Sequence, residues 1–148
     1  MDLVRILKGV ELFRGLDNAQ LQRIIGIGQE ETYQQGQVIV SQGEPGDKMY
    51  IISKGQVEVR VDTKGSAHTA VYLGEGQVFG EMALLERASR SATIVASRGG
   101  TVVQSFPGDK FEALWQSDTA IGYIMMRNMA LDLSFKLRHQ NVGSVTDL

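Results

Sequence analysis

The amino-acid sequence predicts a mainly β fold with helices at both ends, built as an antiparallel barrel or a double-sheet roll. Seventeen of the 148 residues are glycine and two are proline, an excess of turn-forming residues that favours many short strands. Between residues 33 and 106 short apolar runs, several of them alternating with polar residues, recur about every ten residues, with turn signals between them. Outside that segment the apolar residues recur with the spacing of helices.

The chain begins with two predicted helices. An apolar stripe at three- and four-residue spacing runs over 3–10 and predicts the first of them. The segment 13–16 interrupts this pattern with a glycine. Asp17 is placed to cap a second short helix, which Gly26 and Gly28 would end.

Six short strands are predicted in the middle of the chain. The clearest is 57–62, where three valines alternate with three charged residues, as in a strand with one buried face. The six predicted strands cover 38–41, 49–53, 57–62, 69–73, 91–96 and 101–106. The turns that separate them are rich in glycine and lie at 43–47, 54–55, 64–66, 74–76 and 99–100.

Helical spacing returns after Pro107-Gly108. Asp109 and Glu112 are three residues apart and are predicted to form a capping pair for a short helix. A long helix is predicted from about Asp118 to Gln140. Its apolar residues form one ridge at four-residue steps, made of Ile121, Met125, Met129, Leu133 and Leu137. This apolar arc is wide enough to cover the barrel with one edge and to meet a second chain or a ligand with the other.

Composition argues against several classes of function. The net charge of −2 comes from 15 basic and 17 acidic residues without a basic block, so no direct nucleic-acid partner is expected. Cysteine is absent, which excludes disulfides and thiol chemistry. The N-terminus lacks the order of a secretory signal, and no apolar run approaches the roughly 18 residues of a membrane span. We therefore expect a soluble cytoplasmic domain without membrane contact.

The sequence offers no set of residues for catalysis or metal binding. His68 and His139 stand apart from one another, and no other ligand types cluster around them. A Ser–His–acid arrangement is equally absent from the sequence pattern. We predict no catalytic residue, no metal site and no enzyme activity.

The stretch 79–93 has the wrong period for a strand, although strands flank it. Gly80 opens a predicted helical turn, whose free N–H groups suit an anion, and Ala83 also leaves the main chain accessible. Arg90 brings a fork of donors that can hold two oxygens of one phosphate. Glu81 can accept hydrogen bonds from sugar hydroxyls. The stretch therefore predicts a ligand that carries a phosphate beside a sugar hydroxyl.

This stretch closely resembles the phosphate-binding cassette of cyclic nucleotide-binding domains, as found in catabolite activator proteins and regulatory subunits of cAMP-dependent protein kinase. It contains without a gap Phe-Gly-Glu, a large apolar residue, Ala-Leu, and then Arg followed by a small residue, Ala and Thr. The similarity extends to 12–21, 43–52, Gly55, Val57 and 111–114. The resemblance implies an eight-stranded antiparallel jelly-roll-like β-roll with N-terminal helices and a long C-terminal helix. We expect a single stand-alone domain, with a regulatory piece of something larger as the alternative.

The resemblance also implies roles for individual residues. Glu81 would bind the ribose 2′-hydroxyl, and Arg90 would bind the exocyclic oxygens of the cyclic phosphate. The other cassette residues that would contact the ligand are Gly80, Met82, Ala83, Ser91 and Ala92. Val59 and Val71 align with positions that contact ribose or base, although as strand residues they can equally be core.

A cover for the base is expected from the last helix. The side chains placed to supply it by stacking, a cation–π contact or a hydrogen bond are Phe135, Lys136 and Arg138. Plain helix packing explains Phe135 equally well.

These residues indicate a non-catalytic sensor that binds a cyclic purine nucleotide and requires no other cofactor. Ser91 can contact a guanine amino group or donate only to the phosphate. Because one hydroxyl discriminates little between bases, cAMP is favoured over cGMP. Occupancy would move the chain from Phe111 through the last helix.

Several alternatives remain open from the sequence. Glu81 and Arg90 could form only a surface ion pair, in a nucleotide-free structural or interaction domain of the same fold. A small barrel enzyme that acts on a nucleotide or sugar is the other rival. For partners we expect a homodimer through the C-terminal helix or an unidentified effector protein. We expect no helix-turn-helix after Gln140, where the sequence continues for eight residues.

We predict one cyclic nucleotide-binding domain made of consecutive parts. Residues 1–32 form an N-terminal helical segment, and residues 33–106 form the β-roll with the cassette at 79–93. Residues 107–141 form the C-terminal helices, which act as hinge and lid, and 142–148 form a tail.

Overall fold

The computed structural model describes the backbone of residues 2–143 and the side chains of residues 2–139. The α-helices are α1 Leu3–Lys8, α2 Asn18–Ile27, α3 Gly108–Ser117 and α4 Thr119–Gly143. The strands are β1 Gln29–Tyr33, β2 Val38–Val40, β3 Lys48–Lys54, β4 Gln56–Thr63, β5 Ser66–Gly74, β6 Val78–Phe79, β7 Thr93–Ala96 and β8 Thr101–Pro107. Two short 3₁₀ helices cover Glu11–Phe13 and Glu81–Leu84. From residue 144 onward the predicted tail lies outside the described residues.

The eight strands form two four-stranded sheets. The strand order is β1-β8-β3-β6 in the first sheet and β2-β7-β4-β5 in the second. Every pair of neighbouring strands is antiparallel. The predicted mainly β roll with helices at both ends, including a long C-terminal helix, is confirmed.

Two of the eight strands are absent from the sequence prediction. β1 runs over Gln29–Tyr33, so the first sheet begins before the boundary predicted at residue 33. Its sequence, Gln-Glu-Glu-Thr-Tyr, has no apolar alternation, and the strand exists because it pairs along its whole length with β8. β6 has only two residues, Val78 and Phe79, which pair with β3. Neither strand leaves a periodic signal in the local sequence.

The core lies on both faces of the first sheet. Met49 and Ile51 of β3 pack with the helices, whereas Tyr50 and Ile52 face the second sheet. This division follows the two-residue period of a strand. β3 is therefore buried on both sides, which explains its continuous apolar sequence.

The first turns of two helices test the predicted caps. The Asp17 carboxylate accepts a hydrogen bond from the Gln20 backbone N–H at 2.8 Å, and the Gln20 side chain accepts one from the Asp17 N–H at 2.9 Å. The prediction for Asp17 is confirmed. The predicted capping pair of Asp109 and Glu112 is wrong. α3 begins at Gly108, after the extended residue Pro107, and no side chain caps it.

α4 follows the β-roll and packs against the N-terminal segment. Of its predicted ridge, Ile121, Met125 and Met129 are buried, whereas the ridge residues of the following turns are exposed. The Asn128 side-chain amide donates to the backbone carbonyls of Leu12 at 2.8 Å and Arg14 at 2.9 Å. These two bonds attach the middle of α4 to the chain around the first 3₁₀ helix.

Candidate functional site

The cassette begins with a left-handed glycine. Gly80 has a φ of +78° and stands at the start of the 3₁₀ helix Glu81–Leu84, which confirms the predicted turn. A residue with a Cβ is strained in this conformation, so the position favours glycine. Leu84 anchors the turn because its side chain is buried in the core shared with the helices.

The second half of the cassette is attached to the turn before β3 by main-chain hydrogen bonds. The Arg90 N–H donates to the Glu44 carbonyl at 2.7 Å, and the Gly43 N–H donates to the Arg90 carbonyl at 2.9 Å. The Gly46 N–H donates to the Ala88 carbonyl at 2.9 Å. These bonds place Arg90 beside β3 and not out in solvent.

The Arg90 side chain lies between two glycines and an aromatic ring. Its Nη2 donates to the Lys48 carbonyl oxygen at 2.9 Å, and its guanidinium carbon lies 5.8 Å from the centre of the Tyr50 ring. A Cβ on Gly46 would lie 3.1 Å from the guanidinium carbon, and one on Gly80 would lie 2.5 Å from Nη1. Glycine at both positions thus makes room for the guanidinium.

The charge of Arg90 is not neutralised by a carboxylate within the described chain. No ion pair joins it to Glu81 or to any other acid of residues 2–139. The alternative in which Glu81 and Arg90 form only a surface ion pair is therefore not what the structure contains. The guanidinium keeps most of its five N–H donors for another partner.

A cavity of about 360 Å³ opens between the cassette and the second sheet, a size within the usual range for small-molecule pockets. Eight of the nine predicted contact residues line it, namely Val59, Gly80, Glu81, Met82, Ala83, Arg90, Ser91 and Ala92. The ninth, Val71, does not line it. Val71 lies opposite Val59 on β5, and half of its side chain is exposed.

The apolar wall of this cavity was not predicted from the sequence. It is formed by inward-facing strand residues and the neighbours of the cassette, Val40, Leu73, Val78, Phe79 and Ile94. Alternation in β2, β5 and β7 marks such residues as buried without showing that they share one pocket. Gly46 and Tyr50, which contact the Arg90 side chain, were likewise marked only as part of the run 43–52.

The predicted base lid lies outside this cavity. Phe135 and Lys136 line a second, larger groove of about 780 Å³ between α4, the first 3₁₀ helix and the cassette. Phe135 stacks on His139 with ring centres 3.8 Å apart, and Lys136 pairs with Asp132 at 3.0 Å. Arg138 is exposed and lines neither space. The two cavities share one wall, which includes Glu81 and Met82.

The environment of Tyr50 keeps its ring neutral. Burial raises the pKa of the phenol above its ordinary value of 10, and the Glu31 carboxylate raises the pKa further. The nearby Arg90 acts in the opposite direction, with a smaller effect on the pKa than either. The ring therefore presents a neutral aromatic face to the guanidinium at physiological pH.

Metal-binding clusters and membrane-spanning helices are not found among the described residues. Residues 2–139 contain no group of three or more His, Asp or Glu side chains placed to hold a metal ion. Each described helix is too short or too polar to span a bilayer.

Comparison with known proteins identifies the family. The family model of the cyclic nucleotide-binding domain matches residues 30–118, a range that includes the cassette, the Arg90 contacts and most of the roll. The chain belongs to this family. Domains of this family bind nucleotides in regulatory proteins and are generally non-catalytic.

Relatives of the chain occur in bacteria and in eukaryotes. A cyclic AMP receptor protein of Thermus thermophilus is 35% identical over 70% of this chain and 48% of its own length. A cGMP-dependent protein kinase of Caenorhabditis briggsae is 32% identical over 76% of this chain and 15% of its own. The chain thus spans about half or less of the length of these curated relatives.

A solved structure of a relative contains a nucleotide. The co-crystal structure of the regulatory domain of Toxoplasma gondii PKA with cAMP superposes with a TM-score of 0.69 at 30% identity. The similarity covers 75% of this chain and 42% of that one. The fold and the family are therefore shared with a domain whose structure was solved together with cAMP.

Proposed function

We propose that this chain is a regulatory sensor that binds a cyclic purine nucleotide in the cavity beside the cassette. The observation that carries this proposal is the guanidinium of Arg90, which lines a largely apolar cavity and has no carboxylate partner among residues 2–139. A cation in the wall of such a cavity is suited to bind the phosphate of a ligand. Glu81 lines the same cavity and would accept hydrogen bonds from the ribose.

The expected affinity follows from the size of the ligand. A cyclic mononucleotide has about 22 heavy atoms, and about 0.3 kcal/mol per atom corresponds to a dissociation constant of about ten micromolar. Removal of one partner of a desolvated charge pair costs about 2–5 kcal/mol. Loss of Arg90 is therefore expected to bring the dissociation constant for cAMP into the millimolar range.

Calorimetric titration of three variants with cAMP tests this proposal. Arg90→Ala should abolish saturable binding, and Glu81→Ala should weaken it less, because the ribose hydroxyl is neutral. Arg87→Ala is the matched control, since Arg87 is an exposed arginine of the same cassette that does not line the cavity. An unchanged dissociation constant in Arg90→Ala would refute the role of that residue.

We propose that cAMP is bound in preference to cGMP. This preference rests on the cassette, where Ser91 is the only hydroxyl-bearing residue among the predicted contacts, and one hydroxyl discriminates weakly between bases. Relatives are named for both nucleotides. Parallel titrations with cAMP and cGMP decide this point, and tighter binding of cGMP would overturn the preference.

Transmission is proposed to run from the cassette into the C-terminal helices. The start of α3 lies against the cassette turn: a Cβ on Gly108 would lie 3.0 Å from the Ala83 carbonyl oxygen. A shift of the turn on ligand binding would therefore move α3, and with it α4. Hydrogen exchange with and without cAMP tests this idea. Unchanged protection in residues 108–139 would contradict it.

The end of α4 is proposed to meet a second copy of this chain. Four large apolar side chains there are exposed, namely Leu131, Leu133, Phe135 and Leu137, whereas apolar patches of a monomer are usually small. An unidentified effector protein is the alternative partner. Sedimentation of a monomer at high concentration, with and without cAMP, would exclude the homodimer.

Two rival functions are separated from the sensor by simple measurements. A nucleotide-free interaction domain of the same fold would show no rise in thermal stability with saturating cAMP or cGMP, whereas a ligand that binds the native state raises it. A barrel enzyme would consume the nucleotide. Recovery of intact cAMP after long incubation is expected from a non-catalytic domain.

A further inference from the structure

Tyr50 is buried at the point where β3 passes under the cassette. Its ring stacks on Phe79 with centres 4.8 Å apart and planes inclined by 12°, so the plane of the ring is determined by a neighbour in the core. The ring also lies near the guanidinium of Arg90, whose central carbon is 5.8 Å from the ring centre. This distance lies within the range of cation–π interactions.

The Arg90 side chain has few other contacts that orient it. Within the described chain its guanidinium makes one hydrogen bond, to the Lys48 carbonyl, and Gly46 and Gly80 offer it no side chain. The fork is tethered at Nε and hydrogen-bonded at Nη2, so it can still tilt about the line that joins these two atoms. A further contact is needed to hold it in one orientation. The Tyr50 ring, which lies within cation–π range of the guanidinium carbon, supplies that contact.

We propose that Tyr50 is a positioning residue, which orients the Arg90 guanidinium for a phosphate through the face of its aromatic ring. This inference rests on the proposed function, because it concerns the same pocket. It adds a residue that the cassette motif does not contain. Orientation of the guanidinium before binding lowers the entropy cost of binding. The ring therefore contributes to affinity without contact with the nucleotide.

We expect the aromatic ring of Tyr50, and not its hydroxyl, to affect the affinity for cAMP. Tyr50→Phe retains the aromatic face and should bind cAMP as the unaltered protein does. Tyr50→Leu removes the face and should weaken binding by about two- to thirtyfold, the range of a cation–π contact. Tyr33→Leu is the matched control, since Tyr33 packs on the same core cluster and makes no contact with Arg90.

A measurement without nucleotide tests the positioning directly. NMR order parameters report motion on the ps–ns timescale, so a guanidinium held in one orientation should give the Arg90 Nε–H group a high order parameter in the ligand-free protein. The signal is assigned by its disappearance in Arg90→Lys. The order parameter should stay high in Tyr50→Phe and Tyr33→Leu and fall in Tyr50→Leu. A role of Tyr50 in core packing alone would not produce this pattern.

The outcomes separate this inference from the proposed function. If the unaltered protein binds neither cAMP nor cGMP, the proposed function fails, and the NMR order parameter still shows whether Tyr50 orients Arg90. If the order parameter does not fall in Tyr50→Leu, or if this variant binds cAMP as tightly as Tyr50→Phe, the inference is overturned. Should Tyr50→Leu not fold, Tyr50→Met serves in its place with the same expected results, because its longer and more flexible side chain adapts to irregular gaps in a core.

Discussion

Replacement of Gly80 by alanine tests how strictly the cassette geometry determines binding. Two effects act at this position. An L-residue with a φ of +78° is strained by about 1–2 kcal/mol. In addition, the new Cβ would lie 2.5 Å from Nη1 of Arg90 and 2.9 Å from the Lys48 carbonyl oxygen. The arginine terminus can move away, but the carbonyl belongs to the main chain of β3, so the turn itself must shift.

Gly36→Ala separates the two effects. Gly36 has a φ of +88°, and a Cβ there would meet nothing within 4 Å. This variant therefore carries the backbone strain alone. For a chain of about 150 residues, 1–2 kcal/mol corresponds to a fall in Tm of about 2–8 °C. The Tm of Gly80→Ala should fall further, because the two close contacts add to the backbone strain.

Binding of cAMP is the decisive assay for this pair. Gly36→Ala should bind as the unaltered protein does, since Gly36 lies away from the cavity. Gly80→Ala should bind at least about tenfold more weakly, because a displaced guanidinium loses part of the roughly 2–5 kcal/mol of its charge contact. Calorimetry at matched fractions of folded protein measures this difference. Equal dissociation constants and equal Tm values for the two variants would refute the reasoning.

Two further predictions concern the scaffold. Asn128→Asp should lower the free energy of unfolding, measured in urea, by about 1–3 kcal/mol. The reason is that a carboxylate cannot donate to the two backbone carbonyls that accept hydrogen bonds from the amide. An unchanged midpoint of urea unfolding would show that these bonds do not stabilise α4. Hydrogen bonds from Thr69 and Arg60 lower the pKa of the Glu58 carboxyl in the folded protein. The ionised carboxylate therefore contributes its full stabilisation above the unfolded pKa of about 4.5. This stabilisation is lost as the pH falls through the lower folded pKa. The stability difference between the unaltered protein and Glu58→Gln should therefore disappear in acid, and a difference that persists down to pH 2 would contradict this.

Local patterns were sufficient for the elements whose residues make their contacts nearby. The alternation in 57–62 predicts β4 because both faces of the strand are visible within six residues. Asp17 predicts the start of α2 because its partner is three residues away. The helical turn that opens at Gly80 was predicted because a glycine before such a turn is a signal in the local sequence.

Elements that depend on distant partners could not be predicted in this way. β1 is a polar segment that becomes a strand through its pairing with β8, more than sixty residues later. The start of α3 depends on the extended backbone of Pro107 at the end of a paired strand, and not on the acid that follows it. Local composition carries no information about either pairing.

The candidate site likewise combines a local signal in the sequence with contacts to distant residues. The residue types of the cassette, a glycine turn with an arginine and a glutamate, are written in fifteen consecutive residues, and these determine which chemistry the chain can offer to a ligand. Whether Arg90 forms an ion pair with Glu81 was decided only by the tertiary structure. The reason is that its position depends on hydrogen bonds and ring contacts with residues 44–50, about forty positions earlier, which come together only when the roll closes.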